Sequence, residues 1–134
     1  IGSFCGGIFF NIRRRNLFWT GLAGAAGWAA YMILRGTGFH ASLCIFAGAA
    51  VVGFYSEGAA RLFKSPATVY SIPGIFPLVP GVTAYESIQL LVEQKLPEAA
   101  GKAIQTMAGA GAIACGILLA TVIFRVISKS RTKV

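Results

Sequence analysis

The chain has 134 residues, enough for one domain, and 56% of them are hydrophobic while only 12% are charged. Soluble domains carry about 25% charged residues, so this composition, with a mean hydropathy of +0.72, excludes an ordinary soluble domain and indicates a single transmembrane domain over residues 1–134. The net charge of +8 would also suit a nucleic-acid-binding protein. However, Lys and Arg stand beside apolar segments, as topology determinants do, and we expect no nucleic-acid partner.

Five apolar segments follow one another along the chain. Four charge-free runs, 16–34, 36–56, 65–85 and 103–124, have about the length that crosses a hydrocarbon core of about 30 Å. The run 1–12 is shorter, and we interpret it as the end of a first span. We therefore predict an all-α integral membrane protein with about five transmembrane helices, roughly 1–12, 16–34, 38–62, 66–92 and 99–126. A four-span alternative, in which residues 1–12 are a short interfacial segment, stays open.

The charges between these segments predict an orientation. Basic residues are concentrated at 13–15, 61–64 and 125–133, whereas the intervening turns hold Arg35 alone or a balanced set of Glu and Lys at 93–102. Because basic loops stay on the cytoplasmic side, we expect the N-terminus outside and the C-terminus in the cytoplasm. Glu57 lies four residues before Arg61, the spacing of a favourable ion pair on one helix.

Motifs for catalysis, metal binding or cofactors are not found in the sequence. There is no Asp, no zinc-type spacing and no phosphate loop, so we expect neither an enzyme nor a cofactor. The pattern G-x-G-x-x-A at 36–41 follows a predicted membrane helix instead of a strand, and we interpret it as a tight external turn that leaves His40 solvated. Cys5, Cys44 and Cys115 lie in apolar runs and are expected to be buried free thiols.

Small residues recur at helical spacing in two predicted spans. Gly21, Ala25 and Ala29 are four apart, and so are Ala108, Ala112 and Gly116. Small residues at this spacing let helix backbones approach closely in lipid. The two stripes predict packing within the chain or, as the alternative, contact with another subunit.

The predicted fourth helix contains a segment that an ordinary helix cannot accommodate. Pro73, Pro77 and Pro80 fall within eight residues, with Gly74 beside the first and Gly81 after the last. Each proline removes an N–H and crowds the preceding turn, so the carbonyls of 69, 73 and 76 would lose their usual donors. Such groups need a partner or a cavity at membrane depth. We predict a break near 77–81 whose unwound backbone faces a hydrated cavity.

The residues after the break offer two interpretations. Thr83 and Glu86 have the T-x-x-E spacing of a capping box, in which Thr83 would cap a new helix and Glu86 would bond back to it. Alternatively, Glu86 is an ionisable group within a span, which is a functional hypothesis by default, and it would carry a proton. The hydroxyl of Tyr85 is a further candidate for hydrogen bonding to a substrate.

The stretch from Ile72 to Glu86 also resembles the signature of the threonine/serine exporter family, specifically its small YjjB-type subunit. In that family a P-x-x-P-G-x-x-A-Y segment lies in the fourth of five helices, and here it spans Pro77–Tyr85. Residues 11–15 and 21–28 resemble the family's first cytoplasmic turn and second helix. The family has more residues at the start of the chain, and this chain begins with Ile1 instead of Met, so we expect a clipped N-terminus.

The resemblance implies the function of a proton-coupled secondary transporter in the cell membrane. Its substrates would be small hydrophilic metabolites, threonine and serine in one branch and dicarboxylates such as succinate in another. It also implies a larger membrane subunit of the same family as partner, while homo-oligomerisation or a purely structural role remain alternatives. The residues expected to bind substrate are Pro73, Gly74, Pro77, Pro80, Gly81, Thr83, Tyr85 and Glu86, and a carboxylate would face the helix N-terminus near 81–84.

Overall fold

The computed structural model describes residues 1–131, and this part of the chain is a bundle of helices without β-strands. Its α-helices are α1 (Gly2–Phe9), α2 (Arg14–Gly36), α3 (Ala41–Phe63), α4 (Thr68–Gly74), α5 (Gly81–Val92) and α6 (Leu96–Arg131). A 3-10 helix, Phe76–Leu78, joins α4 to α5.

Three of these helices, α2, α3 and α6, are long and apolar enough to cross a membrane. The segments Thr68–Leu78 and Gly81–Val92 pass the same test only as a pair bent by 54°, so they form either a broken span or a re-entrant loop. The described residues thus hold three candidate spans, or four if the bent pair is one span. The prediction of an all-α membrane protein is confirmed at this level, and the count of five stays a prediction.

The observed helices follow the predicted segments with two differences. The predicted helix 66–92 is interrupted by the 3-10 helix and the turn at 79–80, because its prolines cannot continue a regular helix. The helix α1 has 8 residues, about 12 Å of helix, which is short of a hydrocarbon core of about 30 Å. The loops turn where the backbone is left-handed, at Gly38 (φ 84°), Lys64 (φ 51°) and Gln94 (φ 59°).

Helix α3 lies at the centre of the bundle, between α2 and α4 on one side and α6 on the other. Its contacts depend on glycine. A Cβ atom added to Gly48 would lie 2.9 Å from the Gly27 carbonyl oxygen of α2, and one added to Gly53 would lie 2.6 Å from Cβ of Ala120 on α6. Backbones that approach this closely are typical of helix packing in membranes.

The small-residue stripe of α6 packs partly inside the chain. A Cβ atom on Gly116 would lie 2.7 Å from the Phe46 carbonyl oxygen and 2.9 Å from Cβ of Ala49, both on α3. Gly116 is therefore not available to another subunit, and the alternative of a partner contact is wrong for this residue. Gly111, in contrast, has nothing within 4 Å of an added Cβ.

Much of the apolar surface has no cover within the described residues. Only 17% of the most apolar 18-residue stretch of α6 is buried. Ile104, Met107, Leu118 and Val122 are all exposed. Continuous apolar exposure of this extent fits lipid or a second protein.

Two cysteines also differ from the prediction, because Cys5 and Cys115 are exposed and only Cys44 is buried.

The predicted ion pair of Glu57 and Arg61 is not formed. Nη2 of Arg61 instead donates a hydrogen bond to the Phe124 carbonyl oxygen at 3.4 Å, and the guanidinium lies 4.8 Å from the Phe124 ring centroid. An i,i+4 surface pair is worth about 0.3–0.5 kcal/mol, and a cation–π contact is worth at least as much, about 0.5–1 kcal/mol. The long side chain therefore reaches across to α6.

Candidate functional site

The break between α4 and α5 is a short run of non-helical backbone. The Phe76 carbonyl, predicted to lack a donor, accepts the Val79 N–H at 3.3 Å within the 3-10 turn. The Gly81 N–H then donates to the Val79 carbonyl oxygen at 2.8 Å. Pro80 precedes the first residue of α5, where the missing N–H of a proline costs little. The prolines thus end one helix and set the direction of the next.

A cavity of about 510 Å³ lies beside this break. Its walls come from the end of α2, the start of α3, the turn at 77–80, the first turn of α5 and one residue of α6. The lining residues are Trp28, Tyr31, Arg35, His40, Ala41, Ser42, Ile45, Pro77, Leu78, Val79, Pro80, Thr83 and Gln105. The set combines aromatic faces, hydroxyls, an amide and a guanidinium, and it contains no carboxylate.

The base of the cavity is Leu78, which is only 4% exposed. Cβ atoms on Gly27 and Gly48 would both come within 3.6 Å of the Leu78 side chain, so Leu78 fits where α2 and α3 cross. Ala49, Val52 and Ile113 complete the buried cluster around it. The cavity is therefore closed on this side by a packed apolar layer.

An aromatic and cationic wall is formed by the last two turns of α2. Trp28 and Tyr31 are stacked with ring centroids 5.1 Å apart. Arg35 Nη1 donates a hydrogen bond to the Tyr31 hydroxyl oxygen at 3.1 Å. The spacing of three and four residues places all three side chains on one face of the helix. The guanidinium has no carboxylate partner among residues 1–131, so its other donors are free for an anion.

The opposite wall carries hydroxyl groups. Thr83 Oγ1 donates to the Pro80 carbonyl oxygen at 3.0 Å. Thr106 Oγ1 lies 3.1 Å from Thr83 Oγ1 and 2.9 Å from the Lys102 carbonyl oxygen, and it can donate its one proton to either. These contacts connect α5 to α6, and Gln105 of α6 lines the cavity beside them.

The N-terminus of α5, whose residue Thr83 lines the cavity, has unpaired backbone donors. Within the described residues, the N–H groups of Val82 and Thr83 have no backbone acceptor, and no side chain caps the helix. Such N–H groups, together with the positive end of the helix dipole, favour an anion.

The predicted capping box is wrong. Thr83 is the third residue of α5, because the helix begins at Gly81, and its hydroxyl bonds to a carbonyl instead of an N–H. Glu86 points to α6, where its Oε2 lies 2.7 Å from Lys102 Nζ. The Glu86 side chain is 40% exposed, although the Oε2 atom itself is shielded from solvent. The Glu86 carboxylate therefore pairs with the Lys102 ammonium group instead of bonding back to the Thr83 N–H.

The structure divides the eight predicted site residues into three groups. Pro77, Pro80 and Thr83 line the cavity. Pro73 and Gly74 are buried, and a Cβ on Gly74 would lie 2.8 Å from Val52, so these two pack the bundle. The remaining three do not line the cavity, and they are Gly81, the 68% exposed Tyr85 and the ion-paired Glu86.

Other lining residues were not predicted as site residues. Gln105 and Ser42 carry no distinctive sequence pattern, and Trp28 and Tyr31 are aromatic residues of a span, which are usually packing or interface residues. His40 is exposed, as expected, but it also lines the cavity. Only the fold brings these residues to the proline segment.

Charge is distributed unequally between the two ends of the bundle. The end formed by residues 13–15, 57–64 and 125–131 holds eight Lys and Arg and one Glu among the described residues. The cavity end holds Arg35, Lys95 and Lys102 against three Glu. In its α5–α6 loop, a hydrogen bond and charge attraction between Glu93 and Lys95 lower the pKa of the carboxyl and raise that of the ammonium.

The described residues contain no cluster of His, Cys, Asp or Glu that could hold a metal ion. The fold, with its apolar helices and a polar cavity beside a helix break, is that of an α-helical membrane protein. The family model described as "Threonine/Serine exporter, ThrE" matches residues 1–123. The chain belongs to this family, which indicates a transporter of the threonine/serine exporter type. No solved structure matches the chain.

Proposed function

We propose that the chain is a membrane subunit of a secondary exporter of threonine- and serine-type amino acids, and that its substrate occupies the cavity at the proline break. Two findings support the proposal. The family is one of exporters for these amino acids. The cavity brings together the first turn of α5 at Thr83, a guanidinium without an acidic partner, and the hydroxyls of Ser42 and Thr83. The presence of these groups around one cavity is the main observation that supports the proposed substrate site.

The α-carboxylate would bind between Arg35 and the first turn of α5. Arg35 offers free guanidinium N–H groups, and Val82 and Thr83 offer N–H groups at the positive end of a helix. Charge-assisted hydrogen bonds to such donors are worth about 1.5–3 kcal/mol each. Unwound half-helices that present N–H groups to a substrate carboxylate are a recurring feature of secondary carriers.

The other polar groups suit the rest of a hydroxy amino acid. The amide oxygen of Gln105 and the faces of Trp28 and Tyr31 can receive an ammonium group. The hydroxyls of Thr83 and Ser42 can exchange hydrogen bonds with the substrate hydroxyl. A cavity of about 510 Å³ is within the range of about 300–1,000 Å³ typical of small-molecule sites.

A dicarboxylate exporter is the second candidate, and one observation favours it. The lining contains Arg35 and His40 but no acidic residue to pair with an ammonium group. The guanidinium of Arg35 and the imidazole N–H of His40 could each donate to one carboxylate. Competition between substrates in one binding assay separates the two candidates.

The orientation follows from the distribution of charge. We place the basic end of the bundle in the cytoplasm, since basic segments are retained there, and the cavity then opens to the outside. The C-terminus would be cytoplasmic and the N-terminus outside, which requires five spans with the bent pair counted as a broken fourth.

Proton coupling and a partner subunit complete the proposal. Glu86 is the proposed proton carrier, since the capping role is excluded and its pair with Lys102 lies about one helical turn from the Thr83–Thr106 contact. The larger subunit of the family would cover the exposed face of α6 around Gly111, and a second copy of this chain is the alternative occupant. Such a complex would lie in the cell membrane.

The test is equilibrium binding of radiolabelled threonine, with serine and succinate as competitors, to the purified subunit and its complex. We expect Arg35→Gln to weaken threonine binding about 10- to 100-fold, as expected for one or two charge-assisted hydrogen bonds. Arg125→Gln removes the same charge at the other end and should leave binding unchanged. Unaltered binding by Arg35→Gln with normal folding would refute the site, and preferential displacement by succinate would favour the dicarboxylate candidate.

A further inference from the structure

A second cavity lies at the basic end of the bundle, away from the proposed substrate site. It has a volume of about 440 Å³ and is formed by the loop after α1, the start of α2 and the turn between α3 and α4. Three cations line it, Arg13 and Arg15 from one segment and Lys64 from the other. No acidic residue is among its lining residues.

The two segments are held together independently of any ligand. Asn16 Nδ2 donates a hydrogen bond to Ser65 Oγ at 3.4 Å, which joins the first turn of α2 to the α3–α4 turn. The Trp19 ring packs on Phe63 with centroids 5.0 Å apart. The cations from both segments therefore face one cavity as a consequence of the fold.

The electrostatics of this cavity are unfavourable without an anion. A helix N-terminus favours acidic residues in its first turn, but α2 has Arg13 at its N-cap, begins with Arg14 and Arg15, and has neither an acidic residue there nor a side-chain cap. Lys64 adds a third cation to the cavity. None of these cations is ion-paired within residues 1–131. Like charges gathered at the positive end of a helix dipole repel each other, and a bound anion would relieve this repulsion.

The rim indicates what kind of anion this is. Apolar side chains of Phe10, Ile12, Phe63 and Val69 line the same cavity. A ligand that satisfies both features carries a phosphate and an acyl chain. Basic pockets between membrane helices bind the headgroups of anionic lipids by this combination.

We propose that this cavity binds the phosphate of an anionic phospholipid. Arg13 and Arg15 donate to the phosphate oxygens, since guanidinium groups suit bidentate phosphate contacts. Lys64 contributes a third charge, and the acyl chains leave along the apolar rim. The single negative charge of the phosphate offsets part of the repulsion among these three cations.

The test compares lipids on the wild-type chain and on matched variants. The purified full chain in phosphatidylcholine nanodiscs is titrated with phosphatidylglycerol, and retained lipid is measured by native mass spectrometry. We expect phosphatidylglycerol to be retained over phosphatidylcholine. Loss of one charge-assisted hydrogen bond to the phosphate lowers affinity about tenfold or more, so Arg13→Gln, Arg15→Gln and Lys64→Gln should each lose at least about that factor. Arg14→Gln and Arg125→Gln remove the same charge outside this cavity and should lose less than twofold.

Three outcomes would overturn the proposal. Equal losses in the Arg14 and Arg125 controls would mean diffuse attraction to the membrane surface. A wild-type chain with no preference for phosphatidylglycerol would exclude the site without relying on any variant. Displacement of the lipid by a few millimolar inorganic phosphate, with phosphate protecting the chain equally well against thermal unfolding, would mean a free-anion site.

Discussion

Two glycines of α6 provide a sharp test of how the cavity wall is held. Gly116 is in contact with α3, where an added Cβ would meet the Phe46 carbonyl oxygen at 2.7 Å and Cβ of Ala49 at 2.9 Å. Neither is the far end of a flexible side chain, so α6 itself would have to move. Gly111, in the middle of the same helix, has open space around an added Cβ. Gly116→Ala and Gly111→Ala are therefore the same chemical change in opposite surroundings.

The expected magnitudes follow from two terms. Replacing glycine by alanine inside a helix stabilises it by about 0.8–1 kcal/mol, and this term applies to both variants. Overpacking a tight contact costs about 1–3 kcal/mol, and this term applies to Gly116 alone. We expect Gly111→Ala to raise the free energy of unfolding by up to about 1 kcal/mol. The free energy of unfolding of the Gly116→Ala variant should be about 1–3 kcal/mol lower than that of the Gly111→Ala variant.

The assay is reversible unfolding of the purified chain in mixed micelles by increasing SDS, followed by far-ultraviolet circular dichroism. Threonine binding is measured on the same samples. Gly109, on the same face of α6 as Gly116, would place a Cβ 3.3 Å from Pro80, so a displaced α6 should also weaken binding. Equal stabilities of the two alanine variants would refute the close approach of α6 to α3, and with it this account of how the cavity wall is positioned.

Three further predictions concern coupling, orientation and partnership. Glu86→Gln should assemble normally but lose dependence on the proton gradient in a vesicle efflux assay, while exchange of labelled for unlabelled threonine continues; unchanged gradient dependence would exclude Glu86 as the carrier. With the native cysteines replaced, a cysteine at Glu98 should react with an impermeant thiol reagent outside intact cells and one at Ser130 should not, and the reverse pattern would invert the orientation. Gly111→Leu should reduce co-purification of the larger subunit without loss of folding, whereas full retention would place the partner elsewhere.

The positions of the helices were largely predictable because the signals are local. A charge-free run of about 20 residues has few alternatives to a membrane helix, and prolines interrupt helices wherever they occur. The predicted segments 16–34 and 38–62 correspond closely to α2 and α3. The prolines predicted that the helix 66–92 would be interrupted. They did not predict the 3-10 turn in which the Phe76 carbonyl accepts a hydrogen bond, because that turn depends on the backbone geometry at 76–79.

The candidate site was less predictable because it depends on contacts between distant segments. Arg35 and Gln105 reach the cavity from helices that precede and follow the proline segment, and no local pattern connects them. The capping box failed for a similar reason, since Lys102 of α6 offers Glu86 an ammonium group that the T-x-x-E spacing takes no account of. A local sequence pattern indicates which bonds a side chain is able to form, and the neighbouring helices determine which of those bonds it forms.

The proline segment divides into a part buried against the bundle and a part joined to α6, and the proposed coupling through Glu86 would act on the second part. Pro73 and Gly74 are buried against the bundle, so α4 is anchored. Beyond the turn, α5 packs on α6, and the Thr83–Thr106 and Glu86–Lys102 contacts join the two helices. A proton on Glu86 would remove the attraction to Lys102 and loosen the α5–α6 wall of the cavity without touching the substrate. Proton binding and substrate binding would then be coupled because both act on the position of α5, which is how two separate sites share one free energy of coupling.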